Sequence, residues 1–261
     1  KAEAIYREWF AGSDASYEKA SAQREYLNFL KRTVQLDEAI AGFEATLKEK
    51  PNDKETLETL RLIYRSIKPD ATKALALAEK VLEADPGNRD AALQLVSAYE
   101  AARKYDKAIG LIEGLLERDP KDSGGYLASR LIGLYRRGGQ VDKAIALTDK
   151  MVESGLKSGY EHSRAASYYQ QLGQTDKALA QYEAAVAKAS TPQEKESHTL
   201  SIAYAARRAK KYDKAEAAIR QLIQSNSKSM VAQAKRLLFE IYEEQNKLDQ
   251  LQIKPDAKAK K

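Results

Sequence analysis

The apolar positions of the chain follow two nested periods. Locally they recur every three or four residues, the spacing of one helix face. Over longer stretches the whole arrangement returns, carried by the tripeptide Asp-Lys-Ala, which ends at Ala108, Ala144, Ala178 and Ala215. Thr72-Lys73-Ala74 and Asp37-Glu38-Ala39 are variants of it. With Ala2 and Leu251 added, the ladder stands at 2, 39, 74, 108, 144, 178, 215 and 251, in steps of 37, 35, 34, 36, 34, 37 and 36. Four residues after most rungs comes a larger apolar group, at Tyr6, Phe43, Ile112, Tyr182 and Ile219. Twelve residues after three of them stands a helix-ending proline: Pro51, Pro86 and Pro120. All six prolines, Pro69, Pro192 and Pro255 included, are read as lying between helices or in the tail. Nine to ten residues before most rungs is a tyrosine: Tyr64, Tyr99, Tyr135, Tyr169 and Tyr242, with Tyr204 read in the same role across a longer loop. A helical pattern with a period of roughly 34 predicts stacked helix pairs.

Composition narrows the chemistry. The 261 residues are 43% hydrophobic, too apolar for disorder, yet no run is long and apolar enough to span a membrane as a helix. Zero cysteines exclude a disulfide scaffold, a thiolate metal site and a cysteine nucleophile. The net charge is +6, but the last eight residues hold four lysines against Asp256, so the body is close to neutral. A dense basic stripe for phosphate is not visible. The chain opens on Lys1 without a charged-then-apolar leader, which reads as processed or cut from a longer one, and bacterial cytoplasm and periplasm suit the composition equally.

The segment Ser97-Ala98-Tyr99, with Lys104-Tyr105-Asp106-Lys107-Ala108 and a close at Asp119-Pro120, resembles a tetratricopeptide repeat. So does Ser167-Tyr168-Tyr169 with Gly173 and Thr175-Asp176-Lys177-Ala178. The resemblance covers nearly the whole chain. It implies an all-α, right-handed superhelical solenoid of antiparallel helix pairs over residues 1–253, with about six full repeats and a half repeat at each end. Residues 1–11 align with a second helix whose first helix is missing, with Trp9 covering the face so exposed. Residues 228–245 read as a C-terminal capping helix made polar by Gln233, Glu240, Glu243 and Glu244, and 254–261 as a basic flexible tail.

The family is mostly non-catalytic, and no constellation here argues otherwise. His162 sits at a packing position and His198 near the groove, and neither has a metal-ligand or triad spacing. No cofactor or metal is expected. Ten of the fifteen tyrosines fall on packing positions, Tyr204 among them. The resemblance instead implies a concave peptide-binding groove lined by the first helix of each pair. In the fourth repeat those positions are Tyr126, Ser129, Arg130, Gly133, Arg136 and Arg137. In the fifth they are Tyr160, Ser163, Arg164, Ser167, Gln170 and Gln171. Gly125-Tyr126-x-x-Ser129-Arg130 recurs as Gly159-Tyr160-x-x-Ser163-Arg164, with Ser123 and Ser158 read as caps. Tyr and Arg four apart share a helix face. Both are hot-spot residue types, and arginine grips carboxylates with two prongs.

Elsewhere the groove is mixed, with Arg24, Lys31, Arg32 and Arg65 against Glu25, Glu55, Glu58, Asp90 and Glu100. The pattern of Lys, Asn and Arg by which some tetratricopeptide repeats clamp chaperone tails is matched only at Arg130. The expected partner is a protein or peptide segment with acidic residues. The alternative is a structural, self-assembling segment of a larger multi-repeat protein, its open face at residues 1–11 pairing with another copy or with further repeats, and nucleic acid is a distant third.

Overall fold

The computed structural model describes residues 5, 8, 9, 16–32, 35–119 and 125–247. Among these it contains helices and no strand. They form two compact units, Lys1–Asp122 and Ser123–Lys261.

The first unit holds α1 (Ser16–Arg32), α2 (Leu36–Glu49), α3 (Lys54–Ser66), α4 (Ala71–Ala84), α5 (Arg89–Ala101) and α6 (Tyr105–Arg118). The second holds α7 (Tyr126–Arg137), α8 (Val141–Glu153), α9 (Gly159–Gln171), α10 (Thr175–Ala187), α11 (Pro192–Arg208), α12 (Tyr212–Leu222) and α13 (Lys228–Glu244). Within each unit, successive helices pack side by side. The ladder alanines explain how closely: Ala108, Ala144, Ala178 and Ala215 are at most 1% exposed. The large side chains placed four residues later, Phe43, Ile112, Tyr182 and Ile219, are buried beside them.

Turn chemistry repeats too. The residue that closes the turn before α6, α8, α10 and α12 has positive φ: Arg103, Gly139, Gly173 and Lys210, with Asn246 after α13. Pro51 and Pro86 follow the ends of α2 and α4 as expected. Pro192, expected between helices, is instead the first residue of α11, capped by Thr191, a position where its missing N–H costs nothing. Pro120, Pro255, Ser123, the tail 254–261 and most of segment 1–11 lie outside the described residues. Within that segment Ile5 and Trp9 are helical and exposed.

The recurring tyrosine and the Lys before the ladder alanine form one device. Tyr99 donates its phenol hydrogen to Glu79 at 2.6 Å, while Lys107 lies 5.3 Å over the ring and bonds the same carboxylate at 3.2 Å. Tyr169, Asp149 and Lys177 repeat it at 2.6 and 2.7 Å, and Tyr64 donates to Glu44 at 3.1 Å beneath Lys73. Each phenol thus ties its helix to the second helix of the pair before. The hydrogen bond from Tyr99, aided by Lys107 against the opposing effect of burial, holds the Glu79 carboxyl below its usual range. Burial and the Asp149 carboxylate push the Tyr169 phenol well above its usual range. Tyr169→Phe keeps the ring and removes the bond, so it is expected to lower stability by about 1 kcal/mol in chemical denaturation, with the α9–α10 helicity intact.

Tyr204 does not belong to this series. The turn amide of Lys211 bonds Ala206 O at 2.8 Å, as Gln174 bonds Tyr169 O. Ala206, fully buried, therefore holds the packing position, and Tyr204 is 43% exposed. Two residues turn a helix by about 200°, which puts Tyr204 on the opposite side.

Candidate binding face

The second unit sets its first helices in one layer. Tyr168 on α9 donates to Ser129 on α7 at 2.6 Å, Gly159 on α9 abuts His198 on α11, and Gln233 on α13 donates to Tyr204 on α11 at 3.1 Å. Helices α7 and α9 start differently, despite their shared sequence. Gly125 is the N-cap of α7 and offers no side chain, while Ser158 caps α9 in a reciprocal box with Glu161. Backbone hydrogen bonds from Lys157 and Ser158 hold the Glu161 carboxyl below its usual range.

The predicted face is partly assembled. Tyr126 and Tyr160 are 59% and 72% exposed. Arg130 donates to the Tyr126 hydroxyl at 3.1 Å, and the Arg164 guanidinium lies 6.0 Å from the Tyr160 ring centre. The same pair of residues thus meets edge-on in one helix and over the ring in the next. Arg136, Arg137 and Gln171 are exposed, and Ser163 and Ser167 half-buried. Gln171 donates to Ser167 at 3.3 Å.

Two predicted residues are committed elsewhere. Ser129 donates to Gly125 O at 2.8 Å and accepts from Tyr168. Gln170 turns to α10 and accepts from Tyr182 at 3.2 Å. Tyr168 itself was not foreseen, although its place beside the packing tyrosine Tyr169 was visible. Also unforeseen was the far edge of the layer, where Arg207 on α11 is gripped by Glu240 and Glu244 on α13, with Arg236 on Glu240 at 3.1 Å. Those two acids of the expected polar cap are bound to α11 rather than merely solvated.

The histidines have structural environments. His162 Nδ1 is 2.8 Å from Gln181 Oε1. His198, expected near the groove, is buried. Among the described residues no three His, Cys, Asp or Glu side chains gather as a metal site. Burial lowers the His198 pKa, with Glu194 opposing weakly. The unfolded chain therefore binds this proton more readily. The stability involved is complete above the unfolded pKa of about 6.5 and is lost as pH falls towards the folded value. Thermal unfolding between pH 7.5 and 5.5 should show a steeper decline for the native sequence than for His198→Gln.

Comparison with known proteins bears on the fold. Family models described as tetratricopeptide repeat match residues 70–126, 163–229 and 200–250, and one described as PPR repeat matches 128–156. No curated protein matches the chain in sequence. A chain in the structure of Naa15/Naa10 bound to HypK-THB superposes with a TM-score of 0.61 at 15% identity, covering 93% of this chain and 39% of that one. This chain thus spans well under half of that relative's length. A tetratricopeptide repeat protein from Parabacteroides merdae aligns over 92% of this chain and 89% of its own, at 16% identity and a TM-score of 0.43. YrrB, described as a TPR protein with an unusual peptide-binding site, aligns over 74% of this chain and 97% of its own, at 17% identity and a TM-score of 0.44. With these matches spread over both units and the Tyr, Ala and turn registers in phase, the chain belongs to the tetratricopeptide-repeat family.

Proposed function

We propose that this interaction scaffold binds a protein segment carrying acidic residues across α7 and α9, with Tyr126–Arg130 and Tyr160–Arg164 as paired anchors. The observation that carries the reading is the pairing itself. Each arginine is already held against the tyrosine one turn away, and both rings stand in solvent. A side chain ordered before binding loses less entropy on binding. The guanidinium supplies the carboxylate contact and the ring supplies apolar area. Arg136 and Arg137 extend the positive charge at the C-terminal end of α7, and Gln171 offers amide hydrogen bonds at the same end of α9.

A single face of this kind supports a Kd of micromolar order, about −8 kcal/mol. Peptides selected against the protein from a random displayed library should be enriched in Asp and Glu. Arg130→Ala/Arg164→Ala should weaken them by at least about 30-fold, roughly 2 kcal/mol, while circular dichroism stays unchanged. Unchanged affinity in that folded variant contradicts the assignment.

A further inference from the structure

The first unit contains a cavity of about 510 Å³ between α3, α4 and α5, within the size range of ligand pockets. Its walls are largely alanine, with Ala71, Ala74 and Ala78 from α4 and Ala98 and Ala101 from α5. Ala74 is telling. It is a rung of the alanine ladder, yet it is only half-buried where the four later rungs of the ladder are closed over. Small side chains on both walls have here left a gap instead of a close contact.

The second unit indicates what fits such a gap. Tyr169 corresponds to Tyr99, since each donates to a carboxylate twenty positions earlier, Asp149 and Glu79. Tyr168 therefore corresponds to Ala98. Tyr168 crosses from α9 to α7 and closes that interval with its bond to Ser129. With alanine at position 98 no ring crosses from α5 in the matching interval, where Tyr64 of α3 forms part of the wall.

Charge selects further. Arg61 and Arg65 of α3 line the cavity, Arg61 only 6% exposed and Arg65 on the surface. The acid among the lining residues, Asp70, is turned to the N-terminus of α4, accepting from Thr72 N at 3.1 Å and Lys73 N at 3.0 Å. The Arg61 guanidinium is taken up by Glu58, so the charge presented at the opening is the exposed Arg65.

We infer that this cavity is an anchor site for an aromatic side chain, tyrosine-like in size, carried by a peptide segment with acidic neighbours. The inference rests on the reading that the chain binds protein segments, but uses none of the α7–α9 face.

The test titrates protein carrying ¹³C-methyl alanine with two peptides, acetyl-Glu-Tyr-Glu-amide and acetyl-Glu-Ala-Glu-amide. The tyrosine peptide should move the Ala74, Ala98 and Ala101 methyl resonances saturably, with Ala178 and Ala215 still. The alanine peptide should need at least tenfold more. Ala98→Tyr, which supplies the ring internally, should weaken the response of Ala74 and Ala101 at least tenfold. Ala101→Leu, at an exposed position that folding tolerates, should do the same to Ala74 should the larger substitution unfold the unit. Arg65→Gln should weaken it at least threefold. Equal responses to both peptides, or responses surviving Ala98→Tyr and Ala101→Leu, overturn the inference. Arg130→Ala/Arg164→Ala should leave these shifts unaltered. If it abolishes them, the cavity is not the anchor, and the α7–α9 reading stands without it.

Discussion

Replacing Glu58 with alanine is expected to cost the first unit about 3 kcal/mol. The cause is Arg61. Its side chain is 7% exposed, and both prongs of its guanidinium meet the Glu58 carboxylate, Nε at 2.9 Å. Taking a charge out of water costs several kcal/mol unless a partner offsets it. Removing Glu58 leaves that cost in place and deletes the compensation. Water can reach Glu58, which is 29% exposed, so the lower end of the range for a broken buried pair applies. Removing both charges is a different matter. Arg61→Met/Glu58→Gln should lie within about 1 kcal/mol of the native protein, because no charge is then stranded. Urea unfolding of the three proteins checks both statements. A Glu58→Ala protein as stable as the native one would mean that Arg61 is compensated otherwise.

Gly159→Ala should destabilise the second unit by about 2 kcal/mol, whereas Gly133→Ala should stabilise it by about 0.5 kcal/mol. Both glycines lie in first helices, and propensity alone favours alanine at each. Surroundings separate them. A Cβ on Gly159 would stand 2.8 Å from Ala185 O and 3.0 Å from His198 Nε2. The first of these is backbone near the end of α10, which cannot swing aside as a side chain can. Helix α9 must therefore move off α10 and α11, loosening a close-packed seam. At Gly133 the nearest atom is the Arg137 guanidinium Nη2 at 3.9 Å, ordinary contact with the end of a flexible chain. Thermal unfolding of the two single variants should give shifts of opposite sign. Equal shifts would mean that helix propensity, not the seam, governs both sites.

The fold was largely legible because its signals recur. Alanine at 108, 144, 178 and 215 is unremarkable at any one position, and only the common spacing marks it as the point of helix contact. The Tyr–carboxylate–Lys device could also have been found, since Glu44, Glu79 and Asp149 stand at the same distance before Tyr64, Tyr99 and Tyr169. Tyr204 departs from the series because Ala206 fills a tyrosine position and the nearest ring in the sequence lies two residues before it. Arg61 was invisible for a different reason. Whether an arginine on a helix is buried depends on what its neighbours leave open and on a carboxylate in reach, neither of which periodicity encodes. The cavity was equally hidden, because alanine serves a tight contact and an empty space alike.

On the candidate face, the groove positions of Tyr126 and Tyr160 came from the repeat register, and helix geometry added that each shares a side with the arginine four residues on. The commitments of Ser129 and Gln170 did not follow. They depend on Tyr168 and Tyr182 reaching across from other helices, and reach is a property of tertiary placement.

The most direct measurement places a photoactivated cross-linking residue at Tyr126, Tyr160 or, as a control, the exposed Glu153 on α8. A bound acidic peptide should cross-link from positions 126 and 160 and not from 153, with yields falling as salt rises. Cross-linking from 153 with none from 126 or 160 would contradict the account.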